Sequence, residues 1–381
     1  MKPDFEYNFR SILQAPARAL KAKKIFAASV YILIAVIIYS AFVYLSRSLD
    51  GQQVTGSLNS SGFIPLDIFY FNSIPAQIVY LFGILLAIFT VMTGFMSVAA
   101  CDIERLRGNP FFSAGDAFRF SLKRTLQLFL SFLAIVVFIL LLLLLGIVIG
   151  LVARIPYIGE LLYSVFFFFP NFIIALFTTV IIFVFCFSIL VMPVAVVADR
   201  NGESFNSILE TFLTLTRHPF RWAGYTSYSL IAAKVCGFLM AYASFRAIQL
   251  LQYSSKIGGG EKIDSIIASG AARLPLDSEL VGFTTCLFPF INFNFNISSL
   301  AAGATGHWSG YIMMFMLLAV FIMIWGYKLS IVATTQAYSY VIIKYIRDGH
   351  KISEEKSLFY EEEWINPPIA KDDSTEDTED T

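Results

Sequence analysis

The stretch at about 126–152 carries no charged side chain and includes the unbroken apolar run Phe138 to Leu145. Such a segment matches the roughly 20 apolar residues needed to cross the ~30 Å hydrocarbon core of a bilayer. It is one of six. The others lie at about 25–45, 74–99, 161–197, 222–251 and 311–346. A chain of 381 residues that is 57% hydrophobic and 14% charged has too few polar groups for a soluble surface. An ordinary soluble enzyme, a disordered chain and a secreted disulfide scaffold are thereby excluded. Lysine plus arginine equals aspartate plus glutamate at 27 each, so no global basic field argues for nucleic acid. The expected fold is all-α: a polytopic transmembrane bundle of about six spans with two interfacial amphipathic helices.

The first span follows Lys21, Lys23 and Lys24, and the polar stretch 1–24 before it fits a signal anchor better than a cleaved signal peptide. The fourth span is too long for one untilted crossing; Pro170 is expected to mark a kink and Pro193 an inner end. Basic residues recur on alternate connections. They include Lys2, Arg10 and Arg18 at the N-terminus, and Arg105, Arg107, Arg119, Lys123 and Arg124 after span two. Arg200, Arg217 and Arg221 follow span four, and Lys344, Arg347, Lys351, Lys356 and Lys371 follow the last. The opposite connections are poor in lysine and arginine, so the positive-inside rule puts both termini in the cytoplasm. Three parts are expected: a basic N-terminal segment 1–24, a membrane domain 25–347 with an external segment 252–310, and a disordered acidic tail 348–381. The stretch 281–301 mimics a span but carries Pro289, Asn292, Asn294 and Asn296. It reads as a skimming or re-entrant element, with a seventh crossing as the alternative.

The connections after spans two and four look alike. At a shift of 94 residues Phe111 meets Phe205, Ser113 meets Ser207, Asp116 meets Glu210, Phe118 meets Phe212 and Lys123 meets Arg217. Ser followed three residues on by an acid is a capping-box pattern, so Ser113 with Asp116 and Ser207 with Glu210 are expected helix caps. Each would open a short amphipathic helix in the interface, its basic residues near anionic head groups. The match reads either as a parallel repeat of span, elbow helix and span, or as convergence on a shared need for capped basic elbows.

The stretch from Pro193 to Arg221, with Leu213, Thr214, Leu215, Thr216 and Arg217 at its end, resembles a recurring segment of bacterial integral membrane proteins. It is similar to the membrane domain fused to some glycerophosphodiester phosphodiesterases. The first elbow and the ending Ala337 to Asp348 also resemble large bacterial membrane proteins of this size. The resemblance implies a helical membrane domain with no established chemistry, and the expected location is the bacterial inner membrane. It transfers no active-site residue, because the phosphodiesterase catalytic domain has no counterpart in the chain.

Catalytic patterns are missing. His218, His307 and His350 lie in separate segments without a metal-binding spacing, and Cys101, Cys186, Cys236 and Cys286 form no CxxC pair. No phosphate-binding glycine loop occurs, and Gly258 to Gly260 read as a flexible outer turn. No cofactor or metal is expected, and no enzyme activity. Two lysines, Lys234 and Lys328, fall inside spans. Each either snorkels to the near surface or meets an anionic lipid or substrate. With Arg119, Lys123, Arg124, Arg217 and Arg221 they are the candidate lipid or substrate contacts. The expected role is a lipid-interacting or assembly component, with membrane lipids, anionic ones included, and membrane proteins as partners. The alternative is a transporter for a small or lipid-like anionic substrate.

Overall fold

A computed structural model describes residues 5–53, 65, 71–273, 304–349, 351–355 and 357. The protein is an all-α polytopic bundle, and six of its helices are long and apolar enough to cross a membrane. In chain order the helices are α1 (Phe9–Leu13), α2 (Ala15–Ala19), α3 (Ala22–Leu49), α4 (Ile74–Leu106), α5 (Ala114–Leu151) and α6 (Ile158–Leu162). They continue with α7 (Phe168–Ala198), α8 (Ser204–Arg217), α9 (Pro219–Gly259), α10 (Glu261–Arg273) and α11 (Ala304–Asp348).

Three antiparallel pairs build the bundle: α3 with α4, α5 with α7, and α9 with α11. Three glycines set the closeness of α3, Gly83 of α4 against Phe42 among them. A Cβ on Gly94 of α4 would lie 2.6 Å from the Cβ of Tyr31, and one on Gly326 of α11 would meet Ser29 Oγ and lie 3.0 Å from the Ile25 carbonyl. Without side chains at these points, the helix backbones approach as small residues allow in lipid.

Burial is uneven along the helices. The buried residues of α5 end at Ser131, whereas those of α7 concentrate from Val191 to Ala198 and those of α4 from Met92 to Leu106. Beyond, Leu140, Leu141, Leu143, Leu144 and Leu145 stand exposed opposite Phe169, Phe172 and Phe177. Water would penalise that surface, and a bilayer does not. The packed core therefore sits at one end of the bundle, where the basic residues and both described termini gather; we call it the basic end. Helix α11, at 45 residues, is about 68 Å long and overshoots a ~30 Å core more than twofold. Its C-terminal half is buried among its neighbours, with Ser330, Thr334, Thr335, Gln336 and Ser339 all enclosed.

Several expectations are corrected. The first elbow is no separate interfacial helix: α5 starts at Ala114 and continues unbroken to Leu151. No proline interrupts it from Gly115 to Leu151. The second elbow, α8, is separate because Pro219 lacks an N–H and disfavours helical backbone at His218, which adopts φ −132 and ψ 53. Pro193 lies buried inside α7 and does not end it. The distortion near Pro170 is a π turn at Tyr163–Phe167. Span five runs on to Gly259, and the reversal comes at Gly260, whose φ of 62 suits glycine. Part of the external segment is then helical, as α10 packs back on α9 and α11. The N-terminal segment is part of the core, with Ile12, Ala15 and Ala19 fully buried. The acidic tail docks at its start, where Ile352 is buried; its portion 358–381, the stretch 281–301 and His350 lie outside the described residues.

Candidate functional site

The basic end is held by a set of buried ion pairs and hydrogen bonds. At its centre, Lys24 Nζ of α3 lies 2.6 Å from Asp102 Oδ1 of α4, with side chains 1% and 0% exposed. Lys24 also donates to Thr334 Oγ1 of α11 at 3.1 Å, and the Tyr338 hydroxyl donates to Asp102 Oδ1 at 3.1 Å. The Arg18 guanidinium carbon lies 5.3 Å from the centre of the Tyr338 ring. Three spans thus meet around one carboxylate, and the N-terminal segment adds Arg18 over the Tyr338 ring. Such a charge is tolerated away from water only when paired and hydrogen-bonded.

Arg107, the C-cap residue of α4, forms a second junction. It donates to Glu104 at 2.9 Å, to the Ala198 carbonyl of α7 at 3.0 Å, and through Nε and Nη2 to Glu355 at 2.9 and 2.7 Å. Ser357 donates to Glu104. The chain after α11 is thereby fastened to the ends of α4 and α7.

The two elbows use their matched residues differently. Ser113 and Asp116 form a reciprocal capping box at the start of α5. Ser207 and Glu210 do not cap α8, which begins earlier, at Ser204, with Glu203 as N-cap. Ser207 is buried one turn inside and accepts from Gln127 Nε2 of α5 at 3.0 Å. The acid at the approach to α8 is Asp199, which accepts from the Glu203 N–H at 2.8 Å and from Asn206 Nδ2 at 2.6 Å. Glu210 faces α11, where Tyr340, Lys344 and Arg347 share a face at helical spacing. Arg347 donates to Glu210 at 2.7 Å and Tyr340 at 3.3 Å, while Lys344 Nζ stands 3.8 Å away. Burial holds the Ser207, Thr211 and Thr214 face of α8 inward, and Phe205, Leu209 and Phe212 are exposed. An apolar outer face over a polar inner one suits a helix seated against lipid.

The remaining candidates divide. Arg119, Lys123, Arg217 and Arg221 are exposed around the basic end. Phe111, Phe205 and Phe220 stand out beside them, 87%, 74% and 90% exposed. Arg124 is instead spent on structure: it donates to Gln127 Oε1 at 2.8 Å and the Arg200 carbonyl at 3.2 Å. Lys234 is exposed on α9. Lys328 runs its stem across Gly237, one turn further along α9, and sets Nζ 4.3 Å from the centre of the Trp325 ring. Lys328 thus crosses α9 within one turn of Lys234. Neither lines the apolar crevice of about 430 Å³ between α3, α4, α7 and α11, whose walls include Ile32, Tyr39, Met92, Phe95, Leu190 and Val332. Among the described residues no group of three or more His, Cys, Asp or Glu could hold a metal.

Reading the spans for charge missed Lys24 and Asp102. Lys24 looks like an ordinary flanking lysine, and Asp102 lies just past the apolar run. The available signal was in α11, where Ser330, Thr334, Tyr338 and Gln336 with Ser339 recur at helical spacing inside a span. A lipid-facing helix has no use for such a polar stripe.

The fold and its exposed apolar halves define a multi-pass integral membrane protein. No protein-family model, no curated protein and no solved structure matches the chain.

Proposed function

We propose that the protein is a non-enzymatic, lipid-interacting component of a bacterial inner membrane, with both termini in the cytoplasm and its basic end against the inner leaflet. The observation that carries this reading is the ring of exposed cations, Arg119, Lys123, Arg217 and Arg221, set beside the exposed Phe111, Phe205 and Phe220. Aromatic rings at the head-group level and lysine or arginine above them are the usual equipment for anionic leaflet contact. The buried ion pairs beneath support a rigid platform: Lys24–Asp102 joins α3 to α4, Arg107–Glu355 fastens the chain after α11 to α4, and Arg347–Glu210 joins α11 to α8. Contact with each cation contributes about 1 kcal/mol to anionic-lipid attraction. Replacing all four by glutamine is expected to bring the phosphatidylglycerol that co-purifies with the protein down toward its share in the bulk membrane. Unchanged phosphatidylglycerol in the folded variant would reject the reading.

The crevice supports a second reading, a permease for a lipid-like anionic substrate. Its walls are apolar, so it suits a hydrocarbon chain better than a hydrated ion. Met92→Trp should block it, and uptake of a fluorescent phospholipid into proteoliposomes that is absent, or is insensitive to this change, removes the reading.

A further inference from the structure

The contact between α3 and α4 can be followed turn by turn. Lys24 meets Asp102 across the antiparallel pair. Three residues toward the basic end on each helix stand Lys21 and Arg105, on the same faces as Lys24 and Asp102. A complementary pair is therefore followed by a like-charged one. The nearest acid, Asp102, is committed to Lys24 at 2.6 Å. Lys23 holds the Phe112 carbonyl at 2.7 Å. The side chains of the exposed Lys21 and the half-buried Arg105 make no hydrogen bond or ion pair with a described residue. Burial, then the positive charges of Arg105, Lys24 and Lys23, hold the Lys21 ammonium below the usual lysine range. Lys21 is also the N-cap of α3, with extended backbone and no side-chain cap, so the positive end of a 28-residue helix adds to the same spot. The spot lies where the apolar run of α3 begins, which is the level of lipid head groups.

We propose that Lys21 and Arg105 form a binding site for a phosphoryl group, filled by the phosphodiester of an anionic phospholipid. A phosphate accepts from the guanidinium fork and the ammonium together, removing the repulsion that the protein leaves in place. The site rests on the lipid-contact reading above and narrows it to two residues outside the exposed ring.

The test uses the full chain in detergent, with phosphatidylglycerol or phosphatidylcholine added and bound lipid counted by native mass spectrometry. Lys21→Gln combined with Arg105→Gln should weaken phosphatidylglycerol binding about thirty-fold, as expected for two head-group contacts, and leave phosphatidylcholine unchanged. Arg105→Glu guards against misfolding: it gives Lys21 an internal partner, so binding should fall while thermal stability in lipid-free detergent holds or rises. Unchanged phosphatidylglycerol binding in both variants overturns the site. If the four-cation variant loses the lipid while these two retain it, this site is wrong and the broader reading stands; if none loses it, both fall. Inorganic phosphate supplies the second arm. Stabilisation of the wild type and not of Arg105→Glu by phosphate alone, with no gain from phosphatidylglycerol, keeps the site and assigns it a soluble anion.

Discussion

Asp102 is the most exacting place to test how the basic end is held. Asp102→Asn keeps the size and removes the charge, leaving Lys24 positive, 1% exposed and 2.6 Å from a neutral amide. Breaking a buried pair by removing one partner costs about 3–5 kcal/mol, because the survivor is uncompensated. Tyr338, which donates to the same carboxylate, loses a charged acceptor as well. The pair as a whole is worth far less than that. Lys24→Met with Asp102→Leu replaces both charges by apolar groups, and such exchanges are commonly neutral or stabilising by about 1–4 kcal/mol. The assay is equilibrium unfolding in mixed micelles, with wild type, Lys24→Met, Asp102→Leu and the double variant compared as a double-mutant cycle and Asp102→Asn measured beside them. Each single variant should be strongly destabilised, with the double variant close to wild type. A single variant that costs under about 1 kcal/mol, or a double variant as damaged as the sum of the singles, would refute the reasoning, since it would mean that the pair is hydrated or unformed.

Glu210→Gln should cost about 1.5–3 kcal/mol by weakening its charged bonds to α11, where Arg347 is 3% exposed; micellar unfolding measures it, and an unchanged midpoint would detach α8 from α11. Ser113→Ala should cost about 1 kcal/mol through loss of the cap of α5, whereas Ser207→Ala should disturb the contact with Gln127 without fraying α8, a contrast that helix-resolved hydrogen exchange can read. Gly326→Leu should separate α3 from α11, because its side chain would enter the space of Ser29 and the Ile25 carbonyl; a cysteine crosslink between α3 and α11 that still forms at the wild-type rate would count against this packing.

The spans were legible because the bilayer demands a length of apolar chain and little else. That demand is local, and each run states it by itself. The elbows were legible only in part, since the same Ser and acid spacing serves two purposes. At Ser113 the spacing caps a helix. At Ser207 it does not, because α8 has already begun at Ser204, behind Glu203, and Pro219 has set where it must stop. The knot at the basic end was the least legible. Lys24 and Asp102 are 78 residues apart, and Arg347 and Glu210 are 137 apart. No spacing rule joins residues on different helices. Only the antiparallel register of α3 with α4, fixed by contacts such as Gly94 against Tyr31, brings Lys24 level with Asp102. Lys234 and Lys328 drew notice for being charged in apolar surroundings. The residues that bind the bundle together were those whose charge looked ordinary at the edge of a span.

The central claim is that the packed, basic end faces the anionic inner leaflet and carries both termini. Reporters fused after Lys351, green fluorescent protein in one version and alkaline phosphatase in another, test it most directly in bacterial cells. Bright fluorescence with an inactive phosphatase is the predicted result. An active phosphatase with a dark fluorescent protein would put the basic end outside and contradict the account.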